Sequence, residues 1–144
     1  MDHFFEFDNE AFKMSQKEAS SIDPQQKILL EVAHQALEDA NINYRGTKTG
    51  VFIGTSQTSY NAIVTRFPHF VNEYTATGTV NSIQANMLSY RFDLRGPSLS
   101  VDTACSSSGY AMYLACNSIK NGDCDMALVG GINETLNVDM TVAF

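Results

Sequence analysis

Apolar and polar positions follow two rhythms along this chain, and the switches between them mark out its elements. Residues 49–54 (TGVFIG), 98–104 (SLSVDTA) and 126–132 (MALVGGI) are short β-rich runs with little polar interruption, and they read as buried strands. The segments between them keep a helical period. Ile28, Leu29, Val32, Ala33, Ala36, Leu37 and Ala40 make one continuous apolar face, with Asp23 placed to cap, Pro24 at the first helical position and Asn41 as a stop. Ser15 and Glu18 have capping-box spacing and predict a shorter helix before it. A third helix is predicted over 82–92 from Ile83, Met87 and Tyr90, running into the Gly96-Pro97 turn. A fourth follows Cys105, with Ala111, Met112, Leu114, Ala115, Ser118 and Ile119 on pattern and Gly122 past its end. Residues 55–79 are polar and aromatic with weak periodicity, and predict loop with a helix around 62–67. Strands apolar throughout, alternating with helices, predict a mostly parallel sheet covered on both faces. The predicted class is α/β.

Composition narrows the function. The 144 residues carry 9 basic and 16 acidic side chains, a net charge of −7, with no basic cluster of the kind a nucleic acid or an anionic membrane attracts. No apolar run approaches the roughly 20 residues of a membrane helix, and the acidic, aromatic N-terminus is unlike a signal peptide. Three cysteines, Cys105, Cys116 and Cys124, form neither a disulfide framework nor a zinc spacing, so reduced thiols in a cytoplasmic setting are expected. His3, His34 and His69 share no ligand spacing, and no metal site is expected.

The candidate chemistry lies in residues 101–108, VDTACSSS. A buried strand delivers Cys105 to the first turn of a helix, where free backbone N–H groups and the positive end of the helix dipole converge. That setting favours a thiolate, and the same N–H groups can hold the oxyanion formed when it attacks a thioester carbonyl. The small residues after Cys105 leave room for an acyl chain. The alternative is a cysteine that is only a small buried hydrophobe. Asp102 and Thr103 are expected to hold the turn by side-chain hydrogen bonds. Ser106, Ser107 and Ser108 are expected to pack or cap. Cys116 reads as a buried thiol, Cys124 as a loop residue, Met87 and Met112 as core filling, and Gly130-Gly131 as close packing or a bend.

The motif VDTACSSS resembles the active-site signature of β-ketoacyl synthases in polyketide synthases and animal-type fatty acid synthases. IDPQQKILLEVAHQALEDANI (22–42), TGVFIG (49–54), ANMLSYRFDLRGPS (85–98) and NGDCDMALVGGIN (121–133) resemble further family segments in the family's order, covering about residues 7–144. The resemblance implies the thiolase fold, two similar halves packed as an αβαβα sandwich and usually a homodimer. Here it implies a partial domain over 1–144, the N-terminal half without its first strand. It also implies that Cys105 is the nucleophile, with its own backbone N–H as an oxyanion donor. Cys105 would take an acyl chain from phosphopantetheine on a carrier protein, and a decarboxylating malonyl-type thioester would then attack it to form a β-ketoacyl thioester. No directly bound cofactor, nucleic acid or membrane is implied.

Departures from the family shape the expectation. Two downstream histidine motifs and a lysine drive decarboxylation in the family, and none is present; His3, His34 and His69 all precede Cys105. The 144 residues alone are therefore expected to be inactive in condensation. His34 stands where the family commonly has Trp, Gly109 where it usually has Leu, and Met87 where it usually has Arg. The alternative function is a non-catalytic synthase half that acts as an interaction module or has no function. An unrelated cysteine hydrolase ranks last, because no histidine is marked as a base for Cys105.

Overall fold

The computed structural model describes residues 6–56, 59–136 and 142. Among the described residues the elements run in the order α1 (Gln16–Ser21), α2 (Pro24–Asp39), β1 (Thr49–Thr55), α3 (Ser59–Thr65), a 3-10 turn (Pro68–Phe70), α4 (Thr75–Thr79), α5 (Asn81–Phe92), β2 (Ser98–Val101), α6 (Ser107–Lys120) and β3 (Met126–Ile132). These strands form one parallel sheet in the order β2-β1-β3. Val51 pairs with Ser98 on one side of β1 and with Leu128 on the other.

The central strand explains the layering. β1 is buried along its whole length, and successive side chains point to opposite faces. Val51 and Ile53 enter the larger core, with Leu29, Leu30, Ala33 and Leu37 of α2 and Ala85, Leu88 and Phe92 of α5. Phe52 enters a smaller core on the other face, with Ala111 and Ala115 of α6 and with Cys124. β2 and β3 flank it and are only partly covered.

The helix ends follow their capping chemistry. Ser15 Oγ accepts the Glu18 N–H at 3.1 Å, which starts α1. The Glu18 carboxylate does not complete a capping box; it pairs with Arg91 of α5. Asp23 Oδ1 accepts the Gln25 N–H at 2.8 Å and Pro24 opens α2. Gly122, at φ +77°, ends α6: its N–H donates to the Ile119 carbonyl at 3.1 Å and the Asp123 N–H donates to the Ser118 carbonyl at 2.8 Å.

Several expectations are corrected. The apolar face expected of α2 is split: Leu29, Ala33 and Leu37 are buried, whereas Val32, Ala36 and Ala40 are exposed. Leu30 and, in the first turn, Gln25 and Gln26 are buried with Leu29, Ala33 and Leu37. Met112 is 59% exposed and Cys116 is exposed, because only Ser107, Ala111 and Ala115 of α6 turn fully to the sheet. Cys124 lies in a loop as expected, and that loop seats it in the smaller core. The helix expected around 62–67 lies at Ser59–Thr65, followed by the 3-10 turn and α4, which the weak periodicity hid. β2 ends at Val101 rather than at 104, since Asp102 begins a turn. Met87 is buried in the larger core, as expected of a core filler.

Candidate active site at Cys105

The sheet is parallel, so the ends of its strands open on one edge, and Cys105 lies there. A cavity of about 610 Å³ is lined by Gly54 and Thr55 of β1 and Ser56 after it, by Cys105 and Ser108, and by residues 131–133 and 135 at and after the end of β3. Binding at the carboxyl ends of parallel strands is the general habit of open α/β sheets. Cys105 is exposed. It stands two residues before the first residue of α6, with Ser106 at the cap position.

The turn that carries the thiol is held from several sides. Ala104 has φ +56°, a left-handed conformation that costs a residue with a Cβ about 1–2 kcal/mol. Asp102 Oδ1 accepts the Ala104 N–H at 3.0 Å. The Ala104 carbonyl accepts the Ser107 hydroxyl at 2.7 Å and the Ser107 N–H at 3.1 Å. Ser107 Oγ also accepts the Thr103 N–H at 2.9 Å, and Ser106 Oγ donates to the Thr103 carbonyl at 2.7 Å. Asp102, Ser106 and Ser107 thus serve the backbone, as their types and spacing predict, whereas the Thr103 hydroxyl accepts from the Ser106 hydroxyl at 2.9 Å and the turn uses the backbone groups of Thr103. Such strain persists only where its surroundings over-determine it, and it fixes the direction of the next side chain, Cys105.

Two glycines let the start of α6 descend onto the sheet. A Cβ on Gly54 would lie 2.4 Å from the Ser108 backbone nitrogen, and one on Gly131 would lie 2.6 Å from Ser108 Cβ. The expectation of close packing at Gly131 holds, and Gly54 does the same for the central strand. Gly109 faces open space, with none of the described residues within 4 Å of its added Cβ.

The Asp-Pro-Gln-Gln segment at the start of α2 has a role that periodicity does not reveal. Gln25 Oε1 accepts the Glu134 N–H at 3.1 Å, and Gln25 Nε2 donates to Asp23 Oδ2 at 3.4 Å. Gln26 Nε2 donates to the Thr77 carbonyl at 3.1 Å, and the Asp23 N–H donates to the Gly78 carbonyl at 2.7 Å. Gln25 therefore anchors the chain after β3, which forms one wall of the cavity, while Ser56 Oγ donates to Asn133 Oδ1 across that wall at 3.0 Å. Two adjacent glutamines after the capping Asp23 and Pro24 are the sequence signal for this anchor. Burial raises the Asp23 carboxyl above its ordinary value, and burial followed by the nearness of Asp23 raises Glu134.

Among the described residues no histidine lines the cavity. His34 lies on α2, with Nε2 3.5 Å from Glu38 Oε1, and His69 sits in an aromatic cluster with Phe67 and Phe70. His3 lies outside the described residues. Among the described residues no group of three or more His, Cys, Asp or Glu is placed to hold a metal ion, and no helix is long and apolar enough to cross a membrane.

An exposed thiol on a strained turn, where parallel strands meet the start of a helix, matches the nucleophile arrangement of acyl-transferring enzymes. The family model of the β-ketoacyl synthase N-terminal domain matches residues 1–144, and the chain belongs to that family. It is 48% identical over 141 residues to probable polyketide synthase 17 of Dictyostelium discoideum, covering 96% of this chain and 5% of that protein. It is 43% identical over 136 residues to the reducing polyketide synthase ppsB of Aspergillus oryzae, covering 92% of this chain and 6% of the relative. The ketosynthase from module 6 of the bacillaene synthase of Bacillus subtilis 168 superposes with a TM-score of 0.87 at 32% identity, over 99% of this chain and 24% of that one. The fold is thus part of the thiolase-like α/β fold, and the chain spans a small share of the proteins it resembles.

Proposed function

We propose that Cys105 is the acyl-accepting nucleophile of a β-ketoacyl synthase acting in polyketide or fatty acid synthesis. The carrying observation is the placement of this exposed thiol in the cavity at the carboxyl edge of the sheet. The Cys105 thiolate attacks the carbonyl of an acyl thioester on the phosphopantetheine arm of a carrier protein. A new C–S bond forms and the carbonyl electrons move onto oxygen, where the Cys105 backbone N–H donates to the oxyanion. Collapse of that intermediate breaks the bond to the carrier's sulfur, which leaves as a thiol after taking a proton. The carbanion released by decarboxylation of a malonyl-type thioester then attacks the acyl-Cys105 carbonyl, forms a C–C bond and returns the thiolate.

The cavity's walls suit the first stage. Beside the thiol, the described residues present glycine, alanine, serine, threonine, isoleucine and asparagine, with no carboxylate or amine to compete for the acyl group. The proton-handling groups of the second stage are not among them, and the resemblance assigns those to two histidine motifs that this sequence does not contain. A carrier protein domain, acyl and malonyl-type thioesters, a homodimer and a cytoplasmic setting belong to the same proposal.

The test is Cys105→Ala in the intact protein. Condensation is expected to fall to background while folding, read by circular dichroism, is retained; undiminished product from the variant contradicts the proposal. A second reading, an interaction module without catalysis, draws on the exposed apolar face of α6 formed by Met112, Tyr113 and Ile119. It predicts association with a synthase and no acylation of Cys105 in any assembly.

A further inference from the structure

A second cleft lies at the other end of the sheet. It is bounded by the loop before α1, by α2, by the loop leading to β1 and by the last turn of α5. Phe12 and Phe92 supply its apolar walls, and Lys13, His34, Arg45 and Arg91 its polar lining. Its volume is about 60 Å³. One water needs roughly 10–15 Å³ of such space, so the cleft has room for a few waters or one small tetrahedral ion, and none for a nucleotide.

The donors in this cleft exceed its acceptors. The Arg91 side chain is 10% exposed. Its Nη1 donates to the Phe12 carbonyl at 3.3 Å and to the Lys13 carbonyl at 3.0 Å, and its Nη2 pairs with Glu18. Among the described residues its Nε is buried without a partner, and so is Nδ1 of His34. A buried donor left unpaired costs about 1–3 kcal/mol, more when charged. Arg45 adds a second guanidinium, held by a bond from Nη1 to the Arg91 carbonyl at 3.4 Å, and Lys13 adds an ammonium. The nearby carboxylates are engaged: Glu18 with Arg91, Glu38 facing His34 Nε2, and Asp93 with Arg95. A concentration of positive charge in a chain of net charge −7 is not an effect of composition.

We propose that this cleft binds a tetrahedral oxyanion of the phosphate class, with Arg91 Nε donating to it, His34 Nδ1 accepting from its hydroxyl and Arg45 and Lys13 closing over it. The site is separate from the thiol. Arg45 precedes β1 and Cys105 follows β2, so the sheet's seven-residue central strand, at about 3.3 Å per residue, lies between them. The proposal therefore stands independently of the acyl-transfer reading. His34 also sets the room available: an indole at this position is larger than the imidazole and would fill the cleft.

Isothermal titration of the intact protein with inorganic phosphate at constant ionic strength tests the site, with glycerol phosphate as a second arm. Saturable binding is expected. It should weaken about tenfold in Arg45→Gln and in Lys13→Gln, each losing one charge-assisted contact, and be lost in His34→Trp. Lys120→Gln, a cation on α6, should change nothing. Arg45 and Lys13 are exposed, so their variants fold even if the cleft variant does not. Tighter binding of the free ion identifies inorganic phosphate as the ligand, and tighter binding of glycerol phosphate identifies a phosphate monoester. Absence of saturable binding in either arm, or equal binding by the wild type, Arg45→Gln and His34→Trp, overturns the proposal.

Discussion

The two faces of the sheet are closed in different ways. On one, α2 and α5 bury a continuous core around Val51 and Ile53, and Leu30 is wholly inaccessible. On the other, among the described residues, α6 lies alone: its inner side seats Phe52 and Cys124, while Tyr110, Met112, Tyr113 and Ile119 of the same helix stay exposed. Contiguous exposed apolar side chains on one helix mark a face that another layer covers. The finished face carries the scaffold, and the open face carries the thiol.

Truncations on the two faces give the largest expected effects. Leu30→Ala should cost about 2–5 kcal/mol by denaturant unfolding, as deletion of a fully buried leucine does. Met112→Ala in the intact protein should approach the lower end of that range if the open face is covered. A change within about 0.5 kcal/mol, the behaviour of a surface site, would break the comparison.

Gly54→Ala should come next. Its Cβ would meet backbone atoms of Ser107 and Ser108, so the start of α6 must move. Overpacking of this kind costs about 1–3 kcal/mol. Because the same turn aims Cys105, acylation should slow by more than stability alone accounts for. Comparing thiol acylation rates with unfolding midpoints separates the two effects.

A smaller effect concerns pH. Asp23 and Glu134 have carboxyls raised by burial above their ordinary values of 3.8 and 4.5, so the native state holds protons that the unfolded chain releases. The stability they contribute is fully present below those ordinary values and is lost as pH rises through the raised ones. Asp23→Asn keeps an acceptor for the Gln25 N–H and should flatten that decline, measured as the urea midpoint across the acid range. An unchanged profile would show that burial at this anchor carries no proton linkage.

Gly109→Ala should be the mildest substitution and the one that stabilises. The position is helical and open, so alanine should gain about 1 kcal/mol from backbone propensity alone. A loss in the intact protein would instead show that the covering layer approaches the helix at this glycine.

The sequence was most informative where chemistry is local. The caps at Ser15 and Asp23, the Gly122 stop, the bounds of β3 and the hydrogen-bonding role of Asp102 follow from side chains acting within a few residues. It was least informative where burial depends on partners distant in the chain. Periodicity placed Met112 and Cys116 in a core because α6 is apolar on more than one side, and it could not say which side this sheet takes. It placed Cys124 in its loop but gave no sign of its burial, because nothing local announces that Phe52 and Ala115 meet there. The thiol's position could be read from the motif. The Gln25 anchor and the glycine seat at Gly54 needed the tertiary contacts.

Two exposed cysteines on one stretch of chain allow the most direct test of the account. Cys105 lies at the strained turn in the cavity, and Cys116 lies along the helix away from it. The intact protein would be incubated with an acyl thioester and its peptides mapped by mass spectrometry. The account predicts an acyl adduct on the Cys105 peptide, little on Cys116, and none on the variant Cys105→Ala. Equal labelling of both thiols, or an adduct that survives loss of Cys105, would contradict it.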